Sequence, residues 1–143
     1  MQDRIEIFRR IERQYFRDQL GSLGIQAAEA MIVRLLSRRG QLRQEDIVRR
    51  IVLDKGTVAR AVARLEKLGL VDRSVSDQCR REKLVALSPA GAEMAAQIQA
   101  VMDAWNNISY QGFTAEERAL YDGFLTRIVD NVKQYKEGED LNG

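Results

Sequence analysis

The stretch LDKGTVARAVARLEKLGLVDRSVSDQCRREKLVALSPAG, residues 53–91, decides the fold of this chain. Asp54 is a good N-cap, and the apolar side chains that follow it recur at steps of three and four residues. This apolar series consists of Val58, Val62, Leu65 and Leu68. Gly69 is typical of the glycine that closes a helix, and two short strands, residues 70–75 and 83–87, then flank the loop SDQCRRE. The order predicts a helix followed by a hairpin.

The polar face of this helix carries cations and a hydroxyl, on Lys55, Thr57, Arg60, Arg64 and Lys67. A basic face alone is common on solvated helices. The hairpin adds four cations, Arg73 and Lys83 on its strands and Arg80 and Arg81 at its tip. The flat guanidinium of arginine binds phosphates in a bidentate way and suits the negative potential of a narrow groove. Helix and hairpin together therefore predict a surface for double-stranded DNA.

Two helices before this stretch are expected to support it. Residues 26–39 form the first, ended by Gly40, residue 43 or 44 to residue 50 form the second, and IVLDKG makes the turn into the basic helix. The side chains expected to be buried together are Ile32, Leu36, Ile47, Val48, Val58, Val62 and Leu65. The predicted fold is mainly α with a small β-hairpin wing, a winged helix-turn-helix. Four further arginines at the flank of this fold could contact the DNA backbone or could simply be solvated: Arg38, Arg39, Arg43 and Arg49.

The terminal segments predict additional helices. Ser88 and Pro89 provide an N-cap and first helical residue, and Thr114 with Glu117 forms a capping box. The last helix has an apolar series of Leu120, Phe124, Ile128, Val132 and Tyr135, and the first has Ile5, Phe8, Ile11, Tyr15 and Phe16. Since the lobe needs neither series, we expect both to pack on a second copy. We predict a single domain with dimerisation helices at about 1–20 and 89–137 and a DNA-binding lobe at about 26–88.

The segments TVARAVARLEKLGLVDR and RREKLVALSPAG are similar to the recognition helix and wing of the MarR family of bacterial transcription regulators. The resemblance covers roughly residues 24–137. It implies a homodimer that binds a pseudo-palindromic operator and represses transcription. Two positions depart from the family pattern: Ala59 stands where a hydroxyl residue is usual, and Cys79 where the wing aspartate that pairs with the arginine at 81 is usual.

The resemblance also implies a small aromatic or anionic effector, bound in a crevice beside the dimer helices. Its expected lining is Phe8, Tyr15, Phe16, Arg17, Met31 and Trp105. Such an apolar, aromatic site with a guanidinium suits a carboxylate or phenolate. The alternative is that these side chains belong only to the dimer core.

Two other functions remain open. The thiol of Cys79 lies beside two arginines, which favour its thiolate, so oxidation of the wing is an alternative trigger. The other alternative is a winged-helix protein-interaction module that has lost DNA readout, for which Ala59 and Cys79 are the main support.

Composition agrees with one globular domain: the chain has 143 residues, 45% of them hydrophobic and 31% charged. The net charge of +2 is unevenly distributed, with +3 over residues 1–42, +4 over 43–87 and −5 over 88–143. This asymmetry predicts that the middle of the chain faces phosphate.

Several classes are disfavoured. The chain has no His, which removes Ser-His and Cys-His catalysis and most zinc sites, and it has no phosphate-binding glycine loop. We therefore expect no enzyme activity, no cofactor and no metal. The apolar runs are too short for a membrane span, and the N-terminus mixes charges with apolar residues, so we expect a cytoplasmic protein without a signal peptide.

Overall fold

The computed structural model describes residues 2–75 and 83–142. In chain order its elements are α1 (Gln2–Ser22), α2 (Ala27–Arg39), β1 (Leu42–Arg43), α3 (Gln44–Arg50), α4 (Lys55–Lys67), β2 (Val71–Val75), β3 (Lys83–Leu87), α5 (Pro89–Ser109) and α6 (Ala115–Asn142). The chain divides into two compact units, residues 1–103 and 104–143. The fold is mainly helical with a small antiparallel sheet, which confirms the predicted winged-helix class.

The core of the first unit lies among α2, α3, α4 and the sheet. Six of the seven side chains predicted to be buried together are at most 2% exposed: Ile32, Leu36, Ile47, Val58, Val62 and Leu65. The seventh, Val48, is partly buried and packs against this cluster. The three- and four-residue spacing therefore identified the packed faces of these helices correctly.

The sheet has the strand order β1-β3-β2. The predicted hairpin is confirmed, with β2 antiparallel to β3 from the pair Val71 and Leu87 to the pair Val75 and Lys83. The third strand, β1, was not predicted. It has two residues and pairs with β3 through Leu42 and Val85, and a segment this short shows no alternation of apolar and polar side chains.

Both predicted helix-closing glycines have a positive φ, 75° at Gly40 and 76° at Gly69. Asp54 caps α4 as predicted. Leu68, the last member of the apolar series in this helix, is 46% exposed. Leu68 is the C-cap residue, where the chain already turns away from the packed face of the helix.

The start of α5 is held against the end of α4. The Ser88 hydroxyl donates to the Gly69 carbonyl at 2.6 Å and accepts the Gly91 N–H at 3.1 Å, while the Ser88 N–H donates to the Leu70 carbonyl at 3.0 Å. The approach leaves no room for a side chain at Gly91, where a Cβ would lie 2.0 Å from the Leu70 oxygen. The predicted helix start is thus also a packing contact.

The second unit contains the end of α5, a turn and α6. The predicted capping box is present: the Thr114 N–H donates to the Glu117 carboxylate at 2.9 Å, and the Glu117 N–H donates to the Thr114 hydroxyl at 3.1 Å. The Tyr110 ring stacks edge-on against Phe113, with centroids 5.7 Å apart, and its hydroxyl donates to Asp122 at 3.3 Å. Burial, and then the Asp122 charge, raise the pKa of Tyr110.

Two helices expose apolar faces. On α1 the exposed side chains include Ile5, Ile7, Phe8 and Ile11, each 44–50% exposed. On α6 they are Leu120, Tyr121, Phe124, Leu125, Ile128, Val129, Val132 and Tyr135, at 40–72%. Faces of this kind are unusual on a surface that meets only water.

Within residues 2–75 and 83–142, no single helix is long and apolar enough to cross a membrane. The helix pair Asp3–Ser22 and Ala27–Arg39 reaches the required length and composition only when both helices are combined, and they are bent by 78°.

Candidate functional site

The N-terminal turn of α4 contains a chain of three polar side chains. The Asp54 carboxylate accepts the Thr57 N–H at 2.8 Å and the Thr57 hydroxyl at 2.7 Å. The Thr57 oxygen in turn accepts a hydrogen bond from Nη2 of Arg60 at 3.3 Å. The two hydrogen bonds that Thr57 donates to Asp54 hold the pKa of Asp54 below its ordinary value, and the bond from the hydroxyl has the larger effect. The helix thus begins with an oriented hydroxyl and an oriented guanidinium.

A glycine makes room for this arrangement. A Cβ on Gly56 would lie 3.2 Å from Nη1 of Arg60 and 3.3 Å from Oδ1 of Asp54. Both distances are tighter than ordinary contact, so a larger residue would push the guanidinium away. Lys55 and Arg60 are solvent-exposed, and Thr57 is half-buried.

Two of the predicted DNA-binding arginines are paired with carboxylates of the lobe, with 43% of the Arg64 side chain and 26% of the Arg73 side chain still exposed. Arg64 on α4 donates to the carboxylate of Glu29 on α2 and, at 3.2 Å, to the Gly24 carbonyl. Arg73 on β2 donates to the carboxylate of Glu66 at 2.9 Å. This hydrogen bond lowers the pKa of Glu66 and raises that of Arg73. Both guanidiniums are therefore engaged by carboxylates of the same chain.

The other predicted cations lie in different settings. Lys83 is exposed at the start of β3, opposite Val75. Arg43 is paired with Asp46 through Nε at 2.9 Å, and this hydrogen bond is the main reason why the pKa of Asp46 is lowered. Cys79, Arg80 and Arg81 lie outside the described residues, so their predicted roles stay predictions.

The first unit contains a cavity of about 640 Å³ between α1, α2 and α5. Its apolar lining is Phe16, Leu20, Ile25, Ala27, Ala30, Met31, Ile98 and Met102, and its polar lining is Glu12, Arg13, Arg17, Gln26 and Arg34, with Gly21 completing the wall. The volume and the mainly apolar wall with a few polar groups are typical of small-molecule sites.

The cavity brings together three of the six residues predicted to bind an effector, Phe16, Arg17 and Met31. Phe8 and Tyr15 are not among the residues that line it, although the Tyr15 ring stacks edge-on against Phe16 with centroids 5.6 Å apart. The sixth, Trp105, belongs to the second unit, where it is buried.

Sequence reasoning missed Arg34. It lies on α2, is half-buried, and lines both this cavity and an adjoining one of about 260 Å³. It has no hydrogen bond or ion pair with any residue that the structure describes. Helical spacing offered the signal, because Arg34 follows Ala30 by four residues and Met31 by three and so shares their face.

Within residues 2–75 and 83–142, no group of three or more carboxylate, thiol or imidazole side chains is placed to hold a metal ion.

The fold and the exposed, basic N-terminal end of α4 define the class of this protein as a winged helix-turn-helix DNA-binding protein. The model of the MarR family matches residues 23–82. YybA, an uncharacterized HTH-type transcriptional regulator of Bacillus subtilis, is 24% identical over 103 residues, which are 72% of this chain and 68% of YybA. Over these residues the chain is similar to the MarR family of transcription regulators.

Solved structures share the fold across nearly the whole chain. A MarR family regulator from Listeria monocytogenes complexed with 26mer DNA has a TM-score of 0.82 at 20% identity, covering 92% of this chain and 88% of that one. The PcaV regulator from Streptomyces coelicolor, in complex with its natural ligand, has a TM-score of 0.73 at 19% identity, covering 88% of this chain and 89% of that one.

Proposed function

We propose that this protein is a homodimeric repressor that binds a pseudo-palindromic DNA operator and is released by a small aromatic or anionic ligand. The observation that carries the DNA-binding part is the polar chain from Asp54 through Thr57 to Arg60 at the exposed start of α4. Donors at the N-terminal end of a recognition helix are the groups that reach base edges in the major groove. The related Listeria structure contains DNA.

The proposed DNA surface combines two kinds of contact. Lys55, Thr57 and Arg60 meet the major groove or its phosphates from α4. Lys83 and the wing arginines Arg80 and Arg81 meet the backbone or the adjacent minor groove. The residues that make these contacts belong to the proposed DNA-binding lobe, at about 26–88. Because the proposed function is exercised on the chromosome, the proposed location is the cytoplasm.

The second copy is expected to cover the apolar faces of α1 and α6. The α6 face alone includes Phe124 at 55%, Ile128 at 58% and Val132 at 60% exposure, one helical turn apart. Burying such a stripe against its own symmetry mate removes it from water, and a two-fold axis pairs two recognition helices. The helices at about 1–20 and 89–137 are the proposed dimerisation region.

The cavity between α1, α2 and α5 is the proposed effector site. An aromatic carboxylate would place its ring against Phe16 and Met31 and its charge against the guanidiniums of Arg17 and Arg34. The PcaV relative was solved with its natural ligand. Occupancy changes DNA affinity only if the ligand binds one spacing of the two recognition helices better than the other.

The experiment that tests the function is selection from a random duplex library at two salt concentrations, followed by sequencing of the bound pool. We expect an inverted repeat with half-sites about one helical turn apart, and affinity that falls steeply as salt rises. Recovery of no enriched sequence, with weak binding throughout, would reject the DNA-binding function in favour of a protein-interaction module.

A further inference from the structure

We infer that Arg64 is a positioning residue, which fixes the orientation of the recognition helix α4 on the first turn of α2 and does not itself bind DNA. The inference rests on the proposed function, because the orientation of α4 matters for activity only if α4 meets a duplex.

The two donor nitrogens of Arg64 reach two separate parts of the chain. Nη1 donates to Oε1 of Glu29, and Nη2 donates to the carbonyl of Gly24, in the turn between α1 and α2, at 3.2 Å. The same Glu29 oxygen accepts the N–H of Gln26, the N-cap residue of α2, at 2.7 Å. One carboxylate thus joins the start of α2 to the last turn of α4.

Burial determines how firmly this link holds. The Glu29 side chain is 2% exposed, and Glu29 is the one buried charged residue among the residues that the structure describes. A buried carboxylate that loses its cation is left uncompensated in a poorly solvating environment. If Arg64 moved to a DNA phosphate, the buried Glu29 carboxylate would lose its cation, and the fold would be destabilised. Arg60 has no such constraint, since the hydrogen-bond acceptor that holds it is the Thr57 hydroxyl.

The link also touches the proposed effector site. Gln26, Ala27 and Ala30 line the cavity from the turn of α2 that carries Glu29. A displacement of this turn would be passed to α4 through the Arg64 guanidinium.

The two roles of Arg64 predict opposite effects of Glu29→Gln. The glutamine keeps the shape and can still accept the Gln26 N–H, but it removes the charge that holds the guanidinium. If Arg64 contacts DNA, the released guanidinium leaves operator affinity unchanged or improves it. If Arg64 positions α4, the operator affinity of Glu29→Gln falls. The affinities of Arg64→Gln and of the double variant fall by a similar amount, because all three variants break the same link.

The experiment measures the Kd of each variant for two duplexes, the sequence selected from the library and a scrambled duplex of equal length. Positioning predicts about a tenfold loss on the selected sequence for Glu29→Gln, Arg64→Gln and the double variant, with the scrambled duplex bound as by the wild type. Arg60→Ala is the comparison variant, expected to weaken both duplexes because it removes a cation from the DNA surface.

Wild-type or tighter operator binding by Glu29→Gln would overturn the inference, as would equal losses on both duplexes for Arg64→Gln. Should the glutamine variants fail to fold, Arg64→Lys decides: it keeps the charge but cannot reach both acceptors. Operator affinity about tenfold weaker supports positioning, and wild-type affinity rejects it. A failure of the proposed function is distinct, because the wild type would then enrich no sequence at all.

Discussion

The hydroxyl of Thr57 donates a 2.7 Å hydrogen bond to the carboxylate of Asp54, the residue that caps the recognition helix. The cap therefore stabilises the first turn and also orients the oxygen that accepts from Arg60. The usual role of a capping side chain is to accept a hydrogen bond from a backbone N–H group. Here the cap sets the positions of two side chains on the proposed DNA surface.

Thr57→Val should weaken operator binding by about 1 kcal/mol, because it removes one hydrogen bond to each neighbour while keeping the branched shape. The measurement is a binding titration on the selected operator. Thr57→Ser is the matched control, since it retains the hydroxyl and should bind within about twofold of the wild type. Equal affinity of the valine variant would show that the orientation of Arg60 does not depend on this hydroxyl.

The Asp54→Asn variant should be less stable than the wild type at neutral pH, and this difference should disappear in acid. Hydrogen bonds from Thr57 hold the pKa of Asp54 below its ordinary value of 3.8 in the folded protein. The ionised cap therefore contributes stability that is fully present above pH 3.8 and is lost as the pH falls through the lower folded pKa. Denaturant unfolding of both proteins at several pH values tests this. A stability difference that stays constant into acid would contradict it.

Gly91→Ala should destabilise the fold by about 2 to 3 kcal/mol, because the new Cβ would lie 2.0 Å from the Leu70 carbonyl oxygen. Backbone atoms on both sides must then separate, which disturbs the contact between α5 and the end of α4. Thermal or denaturant unfolding measures the loss. Gly138→Ala on α6 is the control, since nothing lies within 4 Å of its Cβ and helix propensity favours alanine there.

Phe124→Glu should convert the proposed dimer to a monomer, because it places a charge in the middle of the exposed apolar face of α6. Analytical ultracentrifugation gives the oligomeric state over a range of concentrations. The neighbouring exposed Arg127→Glu provides a control for the added negative charge. A Phe124→Glu protein that sediments as the wild type does would place the interface elsewhere.

Arg34→Ala should reduce the affinity for benzoate, chosen as a simple aromatic carboxylate, by about tenfold, because it removes a half-buried cation from the cavity wall. Isothermal titration calorimetry measures the binding. Arg39→Ala, on the same helix but outside the cavity lining, should bind benzoate as the wild type does. Identical affinities for the two variants would leave Arg34 without a part in anion recognition.

Local sequence signals were sufficient for most of the fold. The caps at Asp54, Ser88 and Thr114 and the closing glycines at Gly40 and Gly69 each depend on residues within a few positions of one another, and the structure confirms them. The buried faces followed from the same cause, since helical periodicity fixes which side chains share a side. The strand β1 escaped prediction because a two-residue segment has no periodicity, and only its partner β3 defines it.

The sequence by itself determined the recognition helix, its basic face and the wing strands, because hydrophobic spacing and capping are written in neighbouring residues. Only the tertiary structure distinguished the cations on that surface. Arg60 and Arg64 look equivalent along the helix, yet one is held by a hydroxyl three residues away and the other by a carboxylate 35 residues away. The cavity was decided in the same way, with Arg34 on its wall and Phe8 outside its lining. Which cation is paired and which faces the solvent depends on packing between segments that are distant in the sequence. No local sequence pattern specifies which of these segments pack together.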